Sequence, residues 1–283
     1  MRVASRPRRR GADYEEPYYW STGAGFYDGK YPAWFDDVNP AKQILEDNYE
    51  AIRDEVLDFY EHRSEHLQTN WLQWGYSIPG WQTMDLYSYG MRTPRACKQF
   101  PVLESIALTI PGMMLVQVSV LKPGARIRPH ISETSALIRS HLPIVVPGGL
   151  PELGIRVGAE TRGWEPGKVI ALNIAHRHAA WNLTDQARIV VMVDCIHPDF
   201  ADRQHEVESM ALALSAMKGM AASATVLKRA PRWLVLATQR SLAVGIRLLL
   251  FIQRRFGLAL PALVSSWRPP GRRRPQPPPA ATP

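Results

Sequence analysis

At 283 residues with an apolar fraction of 46%, the chain is long enough for one large domain or two small ones around a real hydrophobic core. Its formal charge of +8 is unevenly placed: all 26 Asp and Glu fall between Asp13 and Glu208, five arginines stand in the first ten residues, and twelve Lys or Arg with no acid follow Glu208. The basicity belongs to the ends, and without zinc-finger spacing or an RNA-binding aromatic signature between them it suits an anionic membrane surface and disfavours nucleic acid.

Only two cysteines occur, Cys97 and Cys195, far apart and outside any CxxC, which fits a reducing compartment and disfavours a disulfide framework. The opening "MRVASRPRRR" is basic but no apolar run follows it, so it does not read as a secretory signal, and the cytoplasm is the default location. Residues 1–39, rich in Tyr, Trp, Gly and Pro without a period, read as an irregular arm that wraps the domain or stays partly loose. From Pro40 to about Gln68, Ile44, Leu45, Tyr49, Ile52, Val56, Phe59 and Tyr60 recur at steps of three and four, predicting one amphipathic helix. His62 and His66 stand four apart on it, but the glutamate of an HExxH motif is missing, and the pair reads as solvated.

Beyond a Trp-rich connection the period changes. "MLVQVSVL" (114–121), "ALIRSHLPIVV" (136–146), "LGIRV" (153–157), "KVIALN" (168–173) and "ARIVVMVDCI" (187–196) predict strands, separated by turns at "KPG", "VPGG" and "EPGK". Strands this short and frequent, with no helices between them, indicate an all-β sandwich or barrel against which a helix-rich N-terminal half packs. The chain turns helical again from about Ala201. Between Pro231 and Trp267 it is strongly apolar, yet Arg240, Arg247 and Arg254 recur every seven residues and line one helical face. A span needs roughly 20 consecutive apolar residues, so the segment reads as an in-plane interfacial helix, with docking on the core or a partner as the alternative. The Pro- and Arg-rich "RPPGRRRPQPPPAATP" (268–283) has the composition of a disordered tail.

In the β region, "RPHISETSALIRSH" sets His130, Arg139 and His141 in or beside an apolar run. "HRHAAW" sets His178 after another strand, and Arg188 opens the last strand ten residues on. Two histidines on neighbouring strands can present imidazole nitrogens to one divalent ion, and an arginine beyond them can clamp a carboxylate through two hydrogen bonds. Taken singly each is weak: a strand histidine is more often hydrogen-bonded filler, and a strand arginine a solvated edge.

Together, "SVLKPGARIRPHISETSALIRSHLPIVVP" and "GIRVGAETRGWEPGKVIALNIAHRHAAWNLTDQARIVVMVDCIHP" resemble the catalytic domain of the aspartyl/asparaginyl β-hydroxylase family, Fe(II)- and 2-oxoglutarate-dependent oxygenases on a double-stranded β-helix. The match covers about residues 74–200. Spacing carries it: a His with an Arg nine on and a His eleven on, the "ETRxWExGKV" segment, then a His with an aromatic three after it and an Arg ten after it. The resemblance implies an α+β fold with a double-stranded β-helix (jelly-roll, cupin-like) core, N-terminal helices and a C-terminal helical extension. The chain then divides into an arm (1–39), a catalytic domain (40–208), a basic amphipathic extension (209–267) and the tail (268–283).

By the same resemblance His130 and His178 are iron ligands, and Arg188, with Ser119 eleven residues before His130, binds the distal carboxylate of 2-oxoglutarate. Arg139 and His141 contact that cosubstrate near its metal-chelating end, so His130, His178 and Arg188 form the catalytic set. Tyr87 falls where the family commonly has a pocket-lining Trp. Non-haem iron oxygenases generally add a carboxylate to two histidines; here Ser132 stands at its place, the family itself lacks the acid, and water is implied instead. Glu133 is the nearby acid that could substitute. Two departures stand out. The segment before His178, usually with paired aspartates, reads "LNIAHRH", with Asn173 for one acid and His176 added. On a strand His176 would share the face of His178, which leaves it open as an alternative ligand. Leu137 stands where hydroxylases of protein Asp and Asn have an arginine, which removes a partner for an acidic substrate.

The implied chemistry is hydroxylation of an unactivated C–H by O₂, with 2-oxoglutarate converted to succinate and CO₂; the protein supplies ligands, a carboxylate clamp and a dry pocket. Three readings follow. The overall resemblance favours β-hydroxylation of an Asp or Asn residue in a peptide, or of a related amino acid. Leu137 and the segment 231–267 favour hydroxylation of a lipid A acyl chain, since lipid A hydroxylases resemble the same family. The third is a non-catalytic β-barrel that binds metal or ligand, against which the retained ligands and clamp speak. The expected setting is cytoplasmic, peripheral on the inner face of the membrane through 231–267, with no nucleic-acid partner.

Overall fold

The computed structural model describes residues 27, 29–69, 80–132, 134–223 and 231–256. The single helix predicted over 40–68 is two, α1 (Lys42–Asp47) and α2 (Tyr49–Arg63). Asn48 separates them: its side-chain Nδ2 donates to the Ile44 carbonyl at 2.8 Å, competing with the backbone for a helical acceptor. Leu45, Ile52, Val56 and Phe59 still form one buried face, while His62 and His66 lie exposed beside Asp58 and Glu65. A short β1 (Gln68–Thr69) follows. Most of the Trp-rich connection and Glu133 lie outside the described residues. The strands β2 (Trp81–Ser88) and β3 (Met91–Arg92) and the short helices α3 (Pro94–Cys97) and α4 (Pro101–Ala107) are elements that periodicity did not flag.

Eight strands then build the core: β4 (Met113–Leu121), β5 (Arg126–His130), β6 (Leu137–Val145), β7 (Leu153–Val157), β8 (Glu160–Arg162), β9 (Ile170–Leu172), β10 (His178–Asn182) and β11 (Arg188–Ile196). The five predicted strands correspond to β4, β6, β7, β9 and β11, with ends shifted by no more than two residues. One sheet runs β1-β2-β4-β11-β6-β9 and the other β5-β10-β7-β8, every pairing antiparallel. This alternation between two facing sheets is a double-stranded β-helix, a jelly-roll arrangement.

Val116, Val118, Val120, Leu142, Val191 and Val193 of the larger sheet pack in one core with Leu45, Ile52, Phe59 and Leu103 of the helices. Alternate residues of the same strands, Ser119, His141, Arg188 and Met192, face the other sheet. Burial on both faces explains why these strands read as near-continuous apolar runs. The described part of the arm wraps the barrel: Trp34 bridges Leu172, and Phe35 N–H and Asn173 N–H donate to the Ala171 and Ala33 carbonyls, each at 2.9 Å. Residues 1–26 and 268–283 lie outside the described residues.

Among the described residues two helices follow the barrel, α5 (Gln204–Ser223) and α6 (Arg232–Phe256), packed on one another. By length and composition Trp233–Phe256 suffices to cross a membrane, contrary to the sequence expectation. Here it is docked: Ala243, Ile246 and Leu250 join the inner core, and Gln253 Nε2 donates to the Gly90 carbonyl at 2.9 Å. Arg254 closes on Glu208 at 2.7 and 2.8 Å, with the Glu208 carboxylate fully buried.

Candidate active site

His130 ends β5 and His178 opens β10, and the two are register partners across that strand pair. Their rings lie 4.2 Å apart, centroid to centroid. Each Nδ1 reaches the backbone carbonyl two residues back, His130 to Arg128 at 2.8 Å and His178 to His176 at 2.9 Å. A carbonyl only accepts, so both Nδ1 atoms carry the proton and both Nε2 atoms carry the lone pair. Imidazoles fixed in this way have the tautomer and orientation of metal ligands. Burial, then the neighbouring His130, holds His178 well below the usual histidine range, so it stays neutral and can ligate. Ser132 supplies no carboxylate, and no cluster of three or more potential His, Cys, Asp or Glu ligands occurs among the described residues.

The pair borders a pocket of about 410 Å³, open mouth included, between the sheets. At its inner end Arg188 is almost fully buried, and its Nε and Nη1 have no hydrogen-bond partner among the described residues. Burial pushes the guanidinium down to about 9. His141 Nδ1 accepts from Trp164 Nε1 at 3.3 Å, so the proton sits on Nε2, which is buried and likewise without a partner among the described residues. Burial, reinforced by Arg188 and Arg139, keeps that ring neutral. Ser119 Oγ accepts from Trp81 Nε1 at 3.0 Å, which leaves its own proton to donate. Unsatisfied buried donors are costly; Trp34, Asn39 and Asn173 also carry them elsewhere among the described residues, but those of Arg188 and His141 share the lining of one pocket. The donor set fits an anionic ligand with carboxylate ends.

Arg139 also lines the pocket, but Asp194 holds its guanidinium at two points, each 2.7 Å. The remaining lining includes Ile127, Ile155, Leu172, Ala180 and Met192. The structure therefore brings together His130, His178, Ser119, Arg139, His141 and Arg188. It does not bring in Tyr87. A bulge between Asp85 and Tyr87 moves that ring to the opposite face of β2, where its hydroxyl donates to Glu104 at 2.9 Å. Trp81, two turns of the pleat away from the bulge, takes the pocket position instead. His176 lies in the turn before β10, not on a strand; its Nε2 donates to the Tyr31 carbonyl at 3.1 Å, and it is not among the lining residues. Sequence reading also missed Trp164, which fixes the His141 tautomer and lies 5.0 Å from the Arg188 guanidinium, and Asp194. Trp164 stands inside the "ETRGWEPGKV" segment and could have been singled out there.

The spacing between His178 and Arg188 has a local cause. Asn182 donates to the Leu121 and Gln186 carbonyls at 2.9 and 2.7 Å and accepts from Thr184, pinning the turn that carries β10 into β11. Ten residues are what the strand and turn need to set Arg188 deep in the barrel while His178 stays beside His130 on the pocket wall.

The fold is that of the double-stranded β-helix class, with a histidine pair and a buried arginine lining one pocket between its sheets. The chain belongs to the aspartyl/asparaginyl β-hydroxylase family, whose model matches residues 46–198. It is 28% identical over 175 residues to the ornithine lipid ester-linked acyl 2-hydroxylase of Rhizobium tropici, covering 60% of this chain and 62% of that protein. It is 31% identical over 173 residues to the aspartyl/asparaginyl β-hydroxylase of Mus musculus, covering 56% of this chain and 22% of that protein. The matched region thus spans less than two thirds of the length of either relative. A solved prolyl hydroxylase from Trichoplax adhaerens is similar at 11% identity and a TM-score of 0.40, covering 55% of this chain and 81% of that one.

Proposed function

We propose that the protein is an Fe(II)- and 2-oxoglutarate-dependent hydroxylase whose substrate is an acyl chain of a membrane lipid. The observation that carries the cofactor reading is the convergence of two lone-pair imidazoles with the buried, unsatisfied donors of Arg188 and His141 in one pocket. When bound, iron and 2-oxoglutarate supply the oxidation of C–H to C–OH by O₂, with succinate and CO₂ as co-products. His130 and His178 hold the metal through Nε2. Arg188 and Ser119 take the distal carboxylate as charge-assisted and hydroxyl donors, and His141 Nε2–H donates to the end nearer the metal. Burial of these groups excludes water from everything but the reacting end.

The substrate reading rests on the walls. Arg139, which lines the pocket, is neutralised by Asp194, and Leu137 is buried in the inner core. The remaining lining is mainly aliphatic, which suits a hydrocarbon chain, and with Arg188 taken by 2-oxoglutarate it offers an Asp carboxylate no uncompensated cation. The similarity to a lipid acyl hydroxylase agrees; that to the mouse β-hydroxylase keeps an Asp or Asn residue as the second reading.

Anaerobic addition of Fe(II) and 2-oxoglutarate should produce the visible metal-to-ligand charge-transfer band of a chelated 2-oxo acid, lost in Arg188→Ala. Iron binding without the band overturns the cosubstrate reading in favour of a binding protein. Succinate formation stimulated by acyl lipid and not by Asp- or Asn-containing peptides supports the lipid; the reverse selects the peptide.

A further inference from the structure

We infer that the outer face of α6 is a docking surface for an anionic lipid bilayer, on which the helix lies in plane while its inner face stays on the domain. The two faces separate cleanly. Gln239, Ala243, Ile246 and Leu250, at steps of four, three and four, are buried. On the opposite side Trp233, Val244, Leu248 and Phe251 are 69%, 68%, 60% and 61% exposed. Exposed apolar stripes of this extent on a soluble surface mark a contact site.

The charge beside the stripe selects the occupant. Arg240 and Arg247 are exposed on the turns between these side chains, and the described residues give neither an acidic partner. No Asp or Glu follows Glu208, while Arg268, Arg272, Arg273 and Arg274 continue the basic run. An aromatic and aliphatic stripe flanked by arginines is the pattern of a helix lying at the headgroup boundary of an anionic leaflet. A protein partner would need matching acids and a matching apolar face; a bilayer supplies both without shape complementarity.

The in-plane arrangement follows from what a span would break. Crossing the membrane would strip Arg254 from Glu208, leaving a fully buried carboxylate without its guanidinium, and would carry Arg240, Arg247 and Gln239 into hydrocarbon. Docked as it is, α6 keeps those groups on the protein or in the headgroup layer. This inference does not depend on the lipid-substrate reading, because an enzyme acting on a peptide could be held at a membrane in the same way.

The test is co-sedimentation of the full chain with vesicles of phosphatidylcholine alone and of phosphatidylcholine with phosphatidylglycerol, without iron or cosubstrate. Binding should require the anionic lipid and fall with salt. Arg240→Gln with Arg247→Gln should weaken it by roughly tenfold or more, and Leu248→Ala with Phe251→Ala should weaken it as well. All four side chains are exposed, so both variants should keep the melting temperature and the charge-transfer band. Absence of vesicle binding overturns the inference, as does binding that either variant leaves unchanged. Self-association abolished by the same substitutions would assign the face to a second copy, and resistance of the cellular protein to alkaline carbonate extraction would assign α6 as a span; each overturns the in-plane reading.

Discussion

Arg139 of β6 and Asp194 of β11 are register partners, and the guanidinium closes on the carboxylate through Nε and Nη2, each 2.7 Å from an oxygen. The Asp194 side chain is wholly buried and that of Arg139 is 14% exposed. Two desolvated charges repay their burial only while both are present. Asp194→Ala should therefore destabilise the fold by about 3–5 kcal/mol, whereas Arg139→Met with Asp194→Leu should cost far less. Equilibrium urea unfolding of the three proteins checks this; equal losses in single and double variants would mean that the pair is not energetically coupled.

Arg188 presents the opposite case. Its charge is buried with two donors unmet among the described residues, so the ligand-free protein carries a cost that only an anion relieves. Arg188→Met should leave the unfolding free energy of the apo protein unchanged or raise it, while weakening 2-oxoglutarate binding by roughly 10- to 150-fold, the equivalent of about 1.5–3 kcal/mol for hydrogen bonds to a charged group. Iron binding to the two histidines should persist. Calorimetric titration of wild type and variant with 2-oxoglutarate, beside urea unfolding of both apo proteins, separates these effects, and a destabilised variant would show that Arg188 is a structural residue.

Much of this pocket is legible in the sequence, for a physical reason. The strands of the larger sheet are buried on both faces, so their apolar runs announce them, and polar residues inside such runs stand out as His141 and Arg188 do. What sequence could not give was phase. From Trp81, alternation places Thr83, Asp85 and Tyr87 on one face, and only the bulge beyond Asp85 turns Tyr87 away. Asp194 stands inside a predicted strand with no sign of its role, because nothing local reveals that its register partner is an arginine 55 positions earlier. The helix 40–68 broke at Asn48 because one side chain competed for a backbone carbonyl, which no apolar period records. The amphipathic period of α6 was visible, but not which face would meet α5.

Glu104 gives a prediction in pH. It accepts from Arg92 Nε and Nη2 at 2.7 and 3.0 Å and from the Tyr87 hydroxyl. The Arg92 hydrogen bonds hold its carboxyl below the usual range, against the opposing effect of burial. A folded pKa below the unfolded one means that the stabilisation is complete above the ordinary glutamate value, about 4.3, and is lost as pH falls through the folded value. Arg92 is partly exposed, so solvent screening limits the contribution; Glu104→Gln should cost about 1–2 kcal/mol at neutral pH. The gap between wild type and variant should close in acid. A gap that widens on acidification would show that the carboxyl is neutral in the fold. Because Tyr87 acts here and not in the pocket, Tyr87→Phe should lower stability and leave turnover per folded molecule unchanged.

His176 and His178 can be told apart without a substrate. The ring of His176 is committed to the arm, through the Tyr31 carbonyl and an edge contact with Tyr27, and only its backbone carbonyl serves the site, by accepting the Nδ1 proton of His178. Removing its side chain leaves that carbonyl in place. His176→Ala should therefore lose about 1 kcal/mol of stability from the arm contact and keep the thermal stabilisation that bound Fe(II) confers on the folded state. His178→Ala removes a ring that lines the pocket and, on the proposed reading, ligates the ion, so Fe(II) should no longer raise its melting temperature under anaerobic conditions. Chelation should lower the midpoint of wild type and His176→Ala alike and leave His178→Ala where it was. If the metal response instead disappeared in His176→Ala and survived in His178→Ala, the ligand would be His176, and the arm would have to release Tyr31 before iron could bind.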